Sequence, residues 1–202
     1  MSRFKWQKVE TVYREERPSS HGTELRWLVN QETILDSLTG KSITRASIRH
    51  PGICVIIPFL DPDHIAVMRQ YRYSVDQELW ELPAGTLNGR EENGRMVPTE
   101  TPEECARREL REETGFEARR LEVVADCYAM PGSNDEVIHI FAAYDLTQHE
   151  QSLDIGEVIM EVRAFSIEDL CAMIGRAEIR DAKTLAGLLL ALSRRPNGVR
   201  IS

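Results

Sequence analysis

TPEECARRELREETG, residues 101–115, is the stretch whose reading decides the fold. Thr101 suits an N-cap, Pro102 the first helical position, and Glu104 completes a Thr-x-x-Glu capping box. Gly115 stands where a left-handed terminating residue is wanted. Cys105, Ala106 and Leu110 form an apolar stripe, while Glu104–Arg108 and Arg108–Glu112 have the spacing of helical ion pairs. The last turn and a half, however, crowds Glu109, Glu112 and Glu113 together. Like charges so placed cost about 0.2–0.5 kcal/mol per pair. The helix dipole disfavours anions near its C-terminus by about 0.3–1 kcal/mol each. A helix selected only for stability ends in Lys or Arg, so this cluster points to a bound cation. The alternative is a solvated, salt-bridged surface helix.

Outward from this helix the chain alternates strands and turns. ICVIIPF (53–59) is a β-branched apolar run, and Asp61-Pro62-Asp63 turns it into a second strand over His64 to Tyr71. ELWELPAG (78–85) is a strand entering a glycine turn, and 86–100, rich in Gly, Asn, Arg and Glu, reads as a loop. Strands near 121–129, 136–146 and 161–166 follow, separated by a Pro-Gly-Ser-Asn turn and the polar segment 147–157. Ser166 caps a helix ending near Gly175, and 181–195 is a final helix with Leu185, Leu188, Leu189 and Leu192 at helical spacing. Residues 1–48 show partial alternation in short strands, with Leu38-Thr39-Gly40-Lys41 as a turn. The expectation is an α/β fold, a mixed β-sheet between helices in an α/β/α sandwich over 49–202, with a small N-terminal β-rich lobe over 1–48 making dimer contacts.

Composition narrows the functional classes. The 202 residues hold no run of about 18 apolar residues, so no membrane span is expected. MSRFKWQKVE lacks the apolar centre of a signal peptide, and Cys54, Cys105, Cys127 and Cys171 lack CxxC spacing. A cytoplasmic protein with reduced thiols is expected. The formal charge of −8 argues against nucleic-acid and membrane-surface partners.

Taken as one pattern, Gly94, five residues, Glu100, seven residues, then REL-REETGF (108–116) resembles the Nudix box, the signature of hydrolases of nucleoside diphosphates linked to another group. Phe116 replaces the family's usual aliphatic residue and keeps an apolar side chain. The family's box often begins with the glycine of a Pro-Ala-Gly turn. Here fourteen residues, instead of five, separate the glycine of Pro83-Ala84-Gly85 from Glu100, so a nine-residue insertion is expected, with Gly85 the structural equivalent and Gly94 filling the spacing partly by coincidence. A diphosphate repels an attacking water, and magnesium takes hard oxygen ligands that helical carboxylates supply. The resemblance implies that Glu109 and Glu113 are direct ligands of magnesium, with manganese the alternative. Glu112 is a ligand or near-ligand and the Ala84 carbonyl a further one. Arg108 and Glu100 would hold helix and loop in register.

Pro131, fifteen residues past Phe116, lies in a Pro131-Gly132 stretch that resembles the ADP-ribose pyrophosphatase branch, as do ELPAG, DEVIHIFAAYDL and the C-terminal helix pair. The similarity runs over roughly residues 45–195. In that branch the general base sits on a loop after the strand 136–146. Glu157 is the first candidate and Glu136 the second, while His139 reads as structural. Arg69 and Arg72 suit phosphate or terminal-ribose contacts. Trp27 is a stacking candidate for the base, against a packed core role, and no second aromatic lies near 43–47. The implied activity is hydrolysis of ADP-ribose to AMP and ribose 5-phosphate by a homodimer. The alternatives are another nucleoside diphosphate sugar, GDP-mannose or ADP-glucose, and a module that senses a nucleotide without turnover.

Overall fold

The computed structural model describes residues 3–19, 22–151, 153 and 158–194. Its elements in chain order are β1 (Phe4–Ser19), β2 (Gly22–Asp36), β3 (Ser42–Arg49), β4 (Ile53–Asp61), β5 (His64–Arg72), β6 (Gln77–Glu81), β7 (Ala84–Thr86), β8 (Gly89–Glu92), β9 (Arg95–Pro98), α1 (Pro102–Thr114), β10 (Phe116–Tyr128), β11 (Val137–Gln148), β12 (Ile159–Ser166), α2 (Ile167–Gly175) and α3 (Ala182–Ser193). The chain divides into two compact units: 1–52 with 86–100 and 128–137, and 53–85 with 101–127 and 138–202. The first unit thus draws on three stretches of the chain.

The second unit is built on a sheet of order β10-β11-β4-β5-β12, with β6 on β5 and β7 on β4. β11 runs parallel to β4, and β4, β6 and β12 pair antiparallel with β5, so the sheet is mixed. β4 shows why its sequence carries no alternation. Val55 and Ile57 join the core formed with Ile140, Leu170 and Leu188, on the side of α2 and α3. Cys54, on the opposite face, meets Cys105 of α1. A strand covered on both faces has no polar side, which gives a continuous apolar run. The α/β/α sandwich with a mixed sheet is therefore the observed architecture.

The first unit contains the antiparallel sheet β1-β2-β3 and the hairpin β8–β9. Its first two strands span 16 and 15 residues with register shifts along the pair, longer than the short strands expected. The expectation of a loop over 86–100 is corrected. Glu92 pairs with Arg95 across a two-residue turn, and Asn93 and Gly94 have φ of 52° and 73°. Asn-Gly with both φ values positive is the turn that suits strand twist, so the polar composition here encodes a hairpin tip. Asn30 of β2, itself buried, donates its side-chain N–H to the Gly94 carbonyl at 2.6 Å.

Candidate active site

Helix α1 is fixed at both ends as its sequence requires. Thr101 accepts from the Glu104 amide while the Glu104 carboxylate accepts from the Thr101 amide at 2.8 Å, and Gly115 ends the helix at φ 73°. Because the cap uses Glu104, the expected Glu104–Arg108 pair is replaced. Arg107 pairs with Glu103, and Arg108 reaches Glu109 and Glu112 at 2.7 and 3.1 Å.

The unusual feature is which acids face inward. Glu109 and Glu113, four residues apart, are 5% and 1% exposed beside Cys105, Ala106 and Leu110, and Glu112 is half-buried. Burying carboxylates is costly unless partners compensate. Glu113 accepts the Ala84 amide N–H at 2.8 Å, and Arg108 serves Glu109 and Glu112. The Pro83-Ala84-Gly85 turn is held down further by the Ile56 amide, which donates to the Pro83 carbonyl at 2.9 Å. A Cβ on Gly85 would stand 1.8 Å from a Glu109 carboxylate oxygen. A side chain there would displace that carboxylate or the turn, so Gly85 is the glycine of the helix–turn contact. Gly94, in contrast, serves the β8–β9 tip.

The turn is anchored from behind as well. Glu81, 0% exposed, receives both ends of the Arg72 guanidinium at 2.8 and 2.6 Å and also the Lys183 ammonium. Burial pushes the Glu81 carboxyl up, but the two cations outweigh it and hold the group below the usual glutamate range. Lys183 also pairs with Asp181 at 2.9 Å, and Asp181 caps α3. Thr184 Oγ1 donates to Asp181 and accepts the Leu82 amide at 2.9 Å, one residue before the turn. Sequence reading missed Glu81 and Lys183. About a hundred residues separate them, and no local pattern links them.

The other sequence candidates fall as follows. Arg69 lies between Glu78 and Glu161, both at 3.1 Å. Arg72 is engaged with Glu81, so a phosphate contact from it requires that fork to open. In the first unit, Glu100 accepts the Asn88 amide at 2.7 Å. Glu136 accepts from the Asn134 side chain at 3.1 Å, and Pro131 and Gly132 form an exposed turn closed by the Ser133 amide on the Met130 carbonyl. Trp27 is half-buried and packs at 5.7 Å against the ring of Tyr13, an aromatic neighbour on β1 and not near 43–47. Glu157 lies outside the described residues.

As placed, no three His, Cys, Asp or Glu side chains among the described residues converge on a point that would hold an ion. Arg108 stands between Glu109 and Glu112 and supplies positive charge there. The donor chemistry nevertheless fits a hard divalent cation. Glu109, Glu112 and Glu113 offer only oxygen, and the glycine cradle sets a backbone turn against them.

A family model described as NUDIX domain matches residues 49–188. ADP-ribose pyrophosphatase of Bacillus subtilis (strain 168) is 34% identical over 146 residues, 72% of this chain and 74% of that protein. GDP-mannose pyrophosphatase of Yersinia enterocolitica serotype O:8 is 34% identical over 92 residues, 45% of this chain and 48% of that protein. A solved structure of an ADP compounds hydrolase has the same fold, with a TM-score of 0.74 at 22% identity, covering 95% of this chain and 93% of that one. A mixed-sheet sandwich with an acid-lined helix against a glycine turn is the architecture in question. The chain belongs to the Nudix family and is a Nudix hydrolase.

Proposed function

We propose that this hydrolase cleaves the diphosphate of ADP-ribose, with water, to AMP and ribose 5-phosphate. The observation that carries the reading is the pair of buried acids, Glu109 and Glu113, lying against the Pro83-Ala84-Gly85 turn. Glu109, Glu113, Glu112 and the Ala84 carbonyl would hold magnesium, with manganese a substitute. Bound there, the ion offsets diphosphate charge and makes a water more acidic. Arg108 orients the carboxylates beside it, and Glu100 braces the loop before the helix. Glu157, or else Glu136, takes the proton of the attacking water. Arg69 and Arg72 of the second unit, and Trp27, Pro131 and Gly132 of the first, are the residues we assign to substrate contacts. We assign the enzyme to the cytoplasm, as a homodimer with N-terminal contacts and without nucleic-acid or membrane partners.

ADP-ribose ranks first because similarity to the ADP-ribose pyrophosphatase extends over 72% of the chain. The shorter match to a GDP-mannose pyrophosphatase keeps that sugar nucleotide as the second reading, with ADP-glucose beside it. The test is a panel of ADP-ribose, ADP-glucose and GDP-mannose incubated with the protein and magnesium, with products separated by chromatography. The highest kcat/KM on ADP-ribose, yielding AMP, is expected. A higher value on GDP-mannose moves the assignment to the second reading, and binding without products from any member rejects hydrolysis. Chelation should abolish turnover, and added magnesium should restore it.

A further inference from the structure

Two thiols sit directly behind the turn, and nothing in the proposed reaction uses them. Cys54 of β4 and Cys105 of α1 are both 0% exposed, and their sulfurs are 2.9 Å apart. Each sulfur also lies 3.7 Å from the Gly85 carbonyl oxygen. One thiol can therefore donate to that oxygen while the other donates to its neighbour's sulfur. Cys105 stands one helical turn before Glu109, and Gly85 packs against the Glu109 carboxylate. The pair thus bridges the strand, the helix and the turn of the proposed metal site.

We propose that Cys54 and Cys105 form a reversible disulfide that lowers turnover. This rests on the hydrolase reading above for its effect on activity, though not for the bond itself. A disulfide has an S–S distance of about 2.05 Å, so closure asks the two sulfurs to approach by less than about 1 Å. The oxidant is a hydroperoxide. With hydrogen peroxide, each thiol loses its hydrogen, the S–S bond forms, the O–O bond breaks, and two waters leave. Burial restricts the reagent to a small molecule entering on local opening. Once the bond forms, the Gly85 carbonyl loses both S–H donors, and β4 and α1 are drawn together behind it. The turn lies close to the helix there, since a Cβ on Gly85 would stand 1.8 Å from a Glu109 carboxylate oxygen. A displaced Gly85 carbonyl therefore disturbs the contact between the turn and Glu109.

The test uses the full chain, reduced and then exposed to hydrogen peroxide, alkylated, digested and analysed by mass spectrometry without reductant. Turnover of the best panel substrate is measured on the same samples. A cross-linked Cys54–Cys105 peptide is expected, lighter by two hydrogens than the reduced pair. Turnover should fall about tenfold or more, the scale on which a ligand's supporting partners act, and dithiothreitol should restore it. Cys54→Ala and Cys105→Ala should each lose the cross-link and the peroxide-sensitive part of the rate. If either variant fails to fold, the wild-type spectrum still decides the bond. Recovery of both residues as free thiols after a dose that oxidises Cys127 and Cys171 overturns the proposal. So does a cross-linked protein that turns over at the reduced rate. A reduced protein inactive on every substrate overturns the hydrolase reading instead, and the spectrum still judges the disulfide.

Discussion

Two sets of buried acids lie in the same unit and are treated differently. Glu81 is matched by two cations, one on β5 and one on α3, and its charge is spent within the fold. Glu109 and Glu113 share one line of α1 with Glu112, and Arg108, itself part-exposed, bonds to Glu109 and Glu112. The first arrangement fastens secondary structure together. The second keeps like charges close at a cost that folding alone does not require. Like charges held close on a rigid, capped helix are the feature on which the proposed cation site rests.

Removing each set should separate the two roles. Glu81→Gln leaves Arg72 and Lys183 beside an uncharged group, and the expected loss is about 3–5 kcal/mol of stability. Urea unfolding measures it directly. Acid should expose the same pair. Because the folded carboxyl of Glu81 lies below its unfolded value, its contribution is complete above the usual glutamate pKa of about 4.3. That contribution disappears as pH falls through the depressed folded value. The wild-type urea midpoint should drop in that window, and Glu81→Gln should show a flatter profile. A midpoint for the variant equal to wild type would mean that the fork contributes nothing.

Glu113→Gln is the opposite case. The amide oxygen still accepts the Ala84 N–H, and the variant gives up both the repulsion from Glu109 and Glu112 and the pull of Arg72, so the fold is kept and stability should stay close to wild type. Turnover should fall about 100- to 1,000-fold, the size of losing one contact to developing charge. Near-normal kcat would remove Glu113 from the metal set.

The sequence made one of these two sets legible and hid the other. Helix α1 announced itself because its cap, its first proline and its terminal glycine are local signals, and its acids are adjacent in the chain. The covered strand β4 was legible for the same reason. The Glu81 fork was invisible because Arg72 and Lys183 come from elements far apart in the chain, and a lone Glu in ELWELPAG looks like any strand charge. The hairpin at 89–98 was readable in principle. Its Asn-Gly signal was obscured by four charged neighbours, which suit an exposed ribbon as well as a loop.

Between the two acid sets lies the turn they share, and Gly85→Ala probes it. The added methyl meets Glu109 and forces the carboxylate or the turn to move, at a cost of about 1–3 kcal/mol in stability. Turnover should fall with it, since either movement disturbs the ligands proposed on Ala84 and Glu109. Full activity in this variant would show that the helix–turn contact is not what holds the reacting groups.

The smallest effect belongs to the other glycine of the box spacing, through its neighbour. Asn93 adopts φ 52°, which asparagine tolerates through its short polar side chain and alanine does not. Asn93→Ala should cost about 1 kcal/mol, while Asn93→Gly should be close to neutral because glycine enters that region freely. Neither should change kcat, because this hairpin tip is bonded to Asn30 within the first unit and carries none of the proposed ligands. A large kcat loss in Asn93→Gly would give the inserted hairpin a part in catalysis. It would also mean that Gly94 stands at the box spacing for more than coincidence.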